Sequence, residues 1–87
     1  MINKFILKEF GNRIRDLRTQ EKLSQEQLAF KTGFHRTYIG MIERGERNIS
    51  LTNIVVFSKV FKMDLSDLLN FKGQKINFQD YELKIDN

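Results

Sequence analysis

Two short helical signatures, set apart by a three-residue turn, constrain this chain more tightly than any other stretch of it. Ser24-Gln25-Glu26-Gln27 reads as a capping box, in which the serine hydroxyl accepts from the N–H three residues on and the glutamine reaches back. A helix is predicted from there to Thr32-Gly33, with Leu28 and Ala29 facing inward and glycine free to take a positive φ at its end. After the turn Gly33-Phe34-His35, where His35 serves as a turn or cap residue, a second helix is predicted over Arg36 to Arg44. Ile39 and Ile42 form its inward pair, and Gly45 stops it.

The flanks are helical as well. Leu7, Phe10, Ile14 and Leu17 recur at helical spacing and predict a first helix over Lys4 to Glu21, weakened slightly by Gly11 and Asn12. Ser50 caps a fourth helix with a core stripe of Leu51, Ile54, Phe57, Ser58 and Phe61. Asp64 caps a short fifth, Leu65 to Asn70, which contributes Leu65, Leu68 and Leu69. The fold class is therefore all-α, five helices in one domain over residues 1–70. Residues 71–87 differ: Ile76 and Phe78, then Tyr81, Leu83 and Ile85, alternate with polar residues, which predicts an extended tail. A two-strand piece is marginal alone. Packing on the helices, pairing with a second copy and disorder all stay open for it.

Composition excludes several classes of function. The chain has 87 residues, 40% of them apolar, enough for one domain with a core. It holds no cysteine, so no disulfide framework or Cys-based metal site, and one histidine builds no zinc site without carboxylates around it. No nucleophile–base pair or Gly-rich phosphate loop stands out, so no catalysis, cofactor or small-molecule ligand is expected. No apolar run approaches the ~20 residues of a membrane span, and Met1 to Lys8 shows no cleavage site of a signal peptide. A cytoplasmic protein with no membrane partner is the default. The net charge of +4 is uneven: residues 1–48 hold ten Lys/Arg against six Asp/Glu, and residues 49–87 hold five of each. That pattern fits a polyanion-facing front and a neutral back, and equally a generally basic small protein.

Two short helices joined by a tight turn meet the physical requirement for handing one helix to a DNA major groove while the other braces on the backbone. Their N-termini favour phosphate through free N–H groups and the helix dipole. The run Ser24-Gln25-Glu26-Gln27-Leu28-Ala29, followed by Gly33 through Leu51, resembles the phage repressor/Cro (XRE) class of helix-turn-helix regulators over roughly residues 8–70. Arg36-Thr37-Tyr38-Ile39, followed by Glu43-Arg44 and Arg47-Asn48, is similar to the controller proteins of restriction–modification systems. The resemblance implies a transcriptional regulator that binds double-stranded DNA. It places Arg36, Thr37, Gly40 and Met41 toward base edges, where Arg36 can fork onto guanine O6 and N7 and Met41 can pack on a thymine methyl. Phosphate contacts fall to Ser24, Gln25, Tyr38, Arg44, Arg47, Asn48 and Ser50; for Tyr38, core packing stays open as the rival role. The resemblance also implies that Glu43 turns inward to pair with Arg18.

Val56 and Val60 fall outside the predicted stripe of the fourth helix and need cover. The family pairs through this helix and the next, which implies a homodimer built on Val56, Val60, Met63, Leu65 and Leu69, reading a palindromic operator. An antitoxin-like or RNA-binding interaction module on the same fold is the alternative, and a neighbouring toxin or methyltransferase gene would separate the two.

Overall fold

A computed structural model describes residues 5–71. Five helices follow in order, α1 Phe5–Gln20, α2 Gln25–Thr32, α3 Arg36–Glu43, α4 Leu51–Val60 and α5 Leu65–Leu68, with no strand among the described residues. All five predicted helices are present. The predicted extended tail, apart from Phe71, lies outside the described residues.

Local capping chemistry sets the starts. Ser24 Oγ accepts from Gln27 N at 3.0 Å and Gln27 Oε1 accepts from Ser24 N at 2.7 Å, the reciprocal box read from the sequence. His35 Nδ1 accepts from Thr37 N at 3.1 Å, and Ser50 Oγ from Asn53 N at 3.2 Å. Asp64 occupies the N-cap backbone position of α5 but makes no side-chain cap bond, so its predicted capping role holds for the backbone alone. Gly33, at φ 80°, closes α2 and turns the chain into α3.

α3 packs between α1 and α2 over a core of Phe10, Ile14, Leu17, Leu28, Ala29, Ile39, Ile42, Phe57, Phe61 and Leu68. Phe57 is its hub, edge-on to Phe10 and Phe34 with centroids at 6.1 and 5.5 Å, and stacked on Phe61 at 6.4 Å. Gly11, read as a weak point of α1, is instead a close-approach residue. A methyl group there would collide with the carbonyl oxygen of Ile42 and come within 2.7 Å of that of Glu43, so only glycine lets the α1 backbone lie on the end of α3. Arg13 donates from Nε to Leu68 O at 3.0 Å and from Nη2 to Asp67 O at 2.8 Å, tying α1 to the end of α5.

Three predicted core positions are corrected, the first being Leu69, which is 38% exposed at the C-cap of α5. Leu51 is 68% exposed, because it is the first residue of α4 and its stripe is covered only from Ile54 onward. Leu7 is half-buried at the margin, outside the core. Phe30, a large apolar side chain on the outer face of α2, is 89% exposed.

Candidate nucleic-acid interface

The N-terminal ends of α2 and α3 meet in an open groove lined by Arg18, Ser24, Gln25, Glu26, Arg36, Thr37, Gly40 and Arg44. Of the predicted contact residues, Ser24, Gln25, Arg36, Thr37, Gly40 and Arg44 line it. The Arg36 side chain is 70% exposed and its nearest acid is Glu26 at 3.9 Å, too far to hold it. Thr37 is exposed beside it, and Met41, one turn on, is half-buried. Gly40 differs from expectation. It is buried on the floor of the groove, where a methyl group would lie 3.1 Å from Arg44 Nη1 and 3.6 Å from Gln25 Oε1. Gly40 therefore provides clearance for those two side chains and offers no group of its own to a base edge.

Beneath the groove sits the carboxylate of Glu43, with no exposed side-chain surface. Arg18 grips it in a fork, Nε to Oε2 at 2.6 Å and Nη2 to Oε1 at 3.0 Å, while its third nitrogen Nη1 donates to Leu23 O at 2.9 Å. Gln25 Nε2 donates to the same Oε1 at 3.1 Å, and Arg15 Nε approaches it at 3.5 Å. Burial pushes this carboxyl up, but the hydrogen bonds from Arg18, Gln25 and Arg15 together with the Arg18 charge outweigh it and leave Glu43 below its ordinary range. The inward Arg18–Glu43 pair implied by the resemblance is thus present. It orders three elements at once: α1 through Arg18, α2 through Gln25 and α3 through Glu43.

A second cluster lies where α3 meets α4. Tyr38 is half-buried, its ring edge-on to Phe34 at 5.1 Å and its hydroxyl accepting from Asn53 Nδ2 at 2.9 Å. The core-packing role is therefore real, yet the hydroxyl keeps its own proton to donate outward. The Arg47 guanidinium lies over the same ring, 5.4 Å from its centroid. Asn48 and Ser50 are exposed alongside. Arg44 is forked onto Glu46, Nε to Oε2 at 2.9 Å and Nη2 to Oε1 at 3.2 Å. Sequence reasoning missed Arg15, Asn53 and Glu46 as parts of this surface. Only Asn53 carried a signal, its place three residues after the Ser50 cap.

Of the predicted pairing residues, Val60, Met63 and Leu65 lean partly buried against the core, Val56 is half-buried, and Leu69 is exposed. Val55, not singled out from the sequence, is exposed as well. Among the described residues no group of acids and histidines could hold a metal ion, and no helix is long and apolar enough to cross a membrane.

A short bracing helix, a glycine turn, and a second helix with an exposed basic N-terminal ridge define a helix-turn-helix DNA-binding regulator. The family model described as helix-turn-helix matches residues 14–68, and the chain belongs to that family. Within it, the chain is similar to the control protein C.BamHI of Bacillus amyloliquefaciens, 49% identical over 63 residues that make up 71% of this chain and 78% of that one. Its fold is similar to that of the restriction–modification controller protein C.AhdI from Aeromonas hydrophila, with a TM-score of 0.68 and 47% identity over 71% of this chain and 94% of that one. The controller protein C.Esp1396I, solved as a tetramer in complex with its natural 35 base-pair operator, matches with a TM-score of 0.67 and 29% identity over 75% of this chain and 90% of that one. The likeness to controller proteins read from Arg36-Thr37-Tyr38-Ile39 stands.

Proposed function

We propose that this chain is a controller-type transcription regulator that binds a palindromic operator as a homodimer, with the N-terminal ridge of α3 in the major groove. The observation that carries the reading is the juxtaposition of exposed Arg36 and Thr37 with a bracing helix locked by the buried Glu43 network. Arg36 and Thr37 read base edges, and Met41 lies against the groove wall. Ser24, Gln25, Arg47, Asn48, Ser50 and the Tyr38 hydroxyl hold phosphates on either side, and Arg44, forked onto Glu46, offers the duplex its remaining nitrogen from the groove wall. Gly40, buried as it is, serves by making room. Related by a dimer axis, two such ridges enter successive grooves about 34 Å apart. The operator complex of C.Esp1396I holds a tetramer on 35 base pairs. The same arrangement here seats two dimers on one operator, regulating restriction–modification genes from the cytoplasm.

Selection from random duplex DNA tests the reading. The expected product is a two-fold symmetric site. On that site Arg36→Ala loses preference at one base position in each half, at about 1–3 kcal/mol. Arg47→Ala weakens all sequences alike and lowers the salt slope by about one. Enrichment of no duplex sequence, or of single-stranded RNA instead, would sink the proposal.

A further inference from the structure

Arg44 has three guanidinium nitrogens, and the structure gives each a place. Nε and Nη2 are both taken by the two oxygens of Glu46, at 2.9 and 3.2 Å. The remaining Nη1 points away from that fork and lies over Gly40, in the groove that Arg44 and Gln25 both line. A fork of two parallel bonds fixes the plane of a guanidinium, which a single contact does not. The floor beneath it is fitted to that plane, since a methyl group on residue 40 would sit 3.1 Å from Nη1.

An acid at this place otherwise works against the protein. Glu46 is half-exposed and paired with Arg44, which lines the groove together with Arg36, so its charge subtracts from the attraction that draws this surface to a polyanion. Isolated exposed ion pairs contribute little to stability, so folding gives no strong reason for it.

We propose that Glu46 is a positioning residue for DNA selectivity: it clamps the Arg44 guanidinium so that Nη1 faces into the α2–α3 groove, and Gly40 is the clearance that lets it lie there. The inference rests on the reading that this groove meets duplex DNA. General attraction to the backbone is given up for one donor held in a fixed direction.

The two effects of Glu46 have opposite signs, which makes them separable. Full-length wild type, Glu46→Gln, Glu46→Asp and Gly40→Ala are titrated against the selected operator and against a scrambled duplex of equal length, at several salt concentrations, with thermal melting as the control for folding. Glu46→Gln removes an opposing charge, so it binds the scrambled duplex more tightly and with a steeper salt slope. It is expected to bind the operator more weakly, so that selectivity falls by about tenfold. Glu46→Asp keeps the charge but its shorter stem breaks the fork, and is expected to lose selectivity with the scrambled affinity unchanged. Gly40→Ala displaces Nη1 and is expected to lose as much, and the double variant with Glu46→Gln no more than either alone. Tighter operator binding by Glu46→Gln, in step with the scrambled duplex, would show a charge and nothing more, and would overturn the proposal. So would wild-type selectivity in Glu46→Asp. If wild type itself fails to distinguish operator from scrambled duplex, the DNA-binding reading falls first.

Discussion

A carboxylate with no exposed surface and three side chains donating to it couples folding to pH at Glu43. Its carboxyl is held below the ordinary value of 4.5, where burial alone would have raised it. A carboxyl depressed in the folded state contributes stability above its unfolded pKa and loses it as pH falls through the folded value. The wild type is therefore expected to hold its stability down to about pH 4.5 and to lose this contribution progressively below. Glu43→Gln strips the charge and leaves the half-buried Arg18 without its counter-ion, a loss of about 3–5 kcal/mol. Denaturant unfolding at neutral pH and in an acid series checks both: the variant is less stable at pH 7, and the gap between the two proteins closes as the acid limb is descended. A constant gap through the acid range would mean that Glu43 does not titrate as described. The same residue explains why α2 and α3 keep one geometry, since Gln25 reaches Glu43 from α2 while its other amide atom faces the groove.

Helix ends show how much of the fold was legible in the chain and what was not. Ser24, His35 and Ser50 each cap an N–H within three residues, so the information is local and the starts of α2, α3 and α4 could be read directly. Gly11 and Arg13 act on the ends of α3 and α5, far away in sequence, and their roles follow only once those helices are packed. Leu51 fits the period of α4 but lies where nothing described covers it, a property of neighbours that periodicity does not carry. In the site, Arg36 and Thr37 were legible because exposure at a helix start needs no partner, whereas the burial of Gly40 depends on where Arg44 and Gln25 fold over it. Two turns also hide a weakness. Lys22 and Lys62 stand at φ 58° and 56° after α1 and α4. In each, the lysine N–H bonds three residues back and the next N–H five back, Lys22 to Thr19 and Leu23 to Arg18, Lys62 to Lys59 and Met63 to Ser58. This is a Schellman closure, which glycine fills without the Cβ penalty of the left-handed region. Lys22→Gly and Lys62→Gly are each expected to stabilise by about 0.5–1 kcal/mol. Gly11→Ala, the reverse exchange inside α1, is expected to destabilise by about 1–3 kcal/mol. Thermal melting of the three variants decides it, and a fall in Tm for either lysine exchange would contradict the account.

At the scale of the molecule, α4 carries two apolar flanks, one left exposed and the other only partly covered by the core. Leu51 and Val55 lie one turn apart on one side of the Ile54–Phe57–Phe61 stripe, and Val56 and Val60 lie on the other, about 100° further round from Val55. The homodimer proposed above would use the flank of Val56 and Val60 together with Met63, Leu65 and Leu69. Met63 and Leu65 are half-buried and packed against the core, and Leu69 is exposed beside them in sequence, so an interface there extends the existing packing instead of starting a new one. Charge placed at the outer edge of one flank therefore discriminates. Val56→Lys with Leu69→Lys is expected to give a folded monomer by sedimentation and circular dichroism. Its affinity for a two-half operator should fall on the order of 100-fold or more, because each reading helix then binds alone. Leu51→Lys with Val55→Lys, equal in charge and on the opposite flank, is expected to remain dimeric with operator affinity intact. Dissociation by the second pair and not the first would move the dimer axis to the other side of α4, and with it the spacing between the two Arg36 ridges.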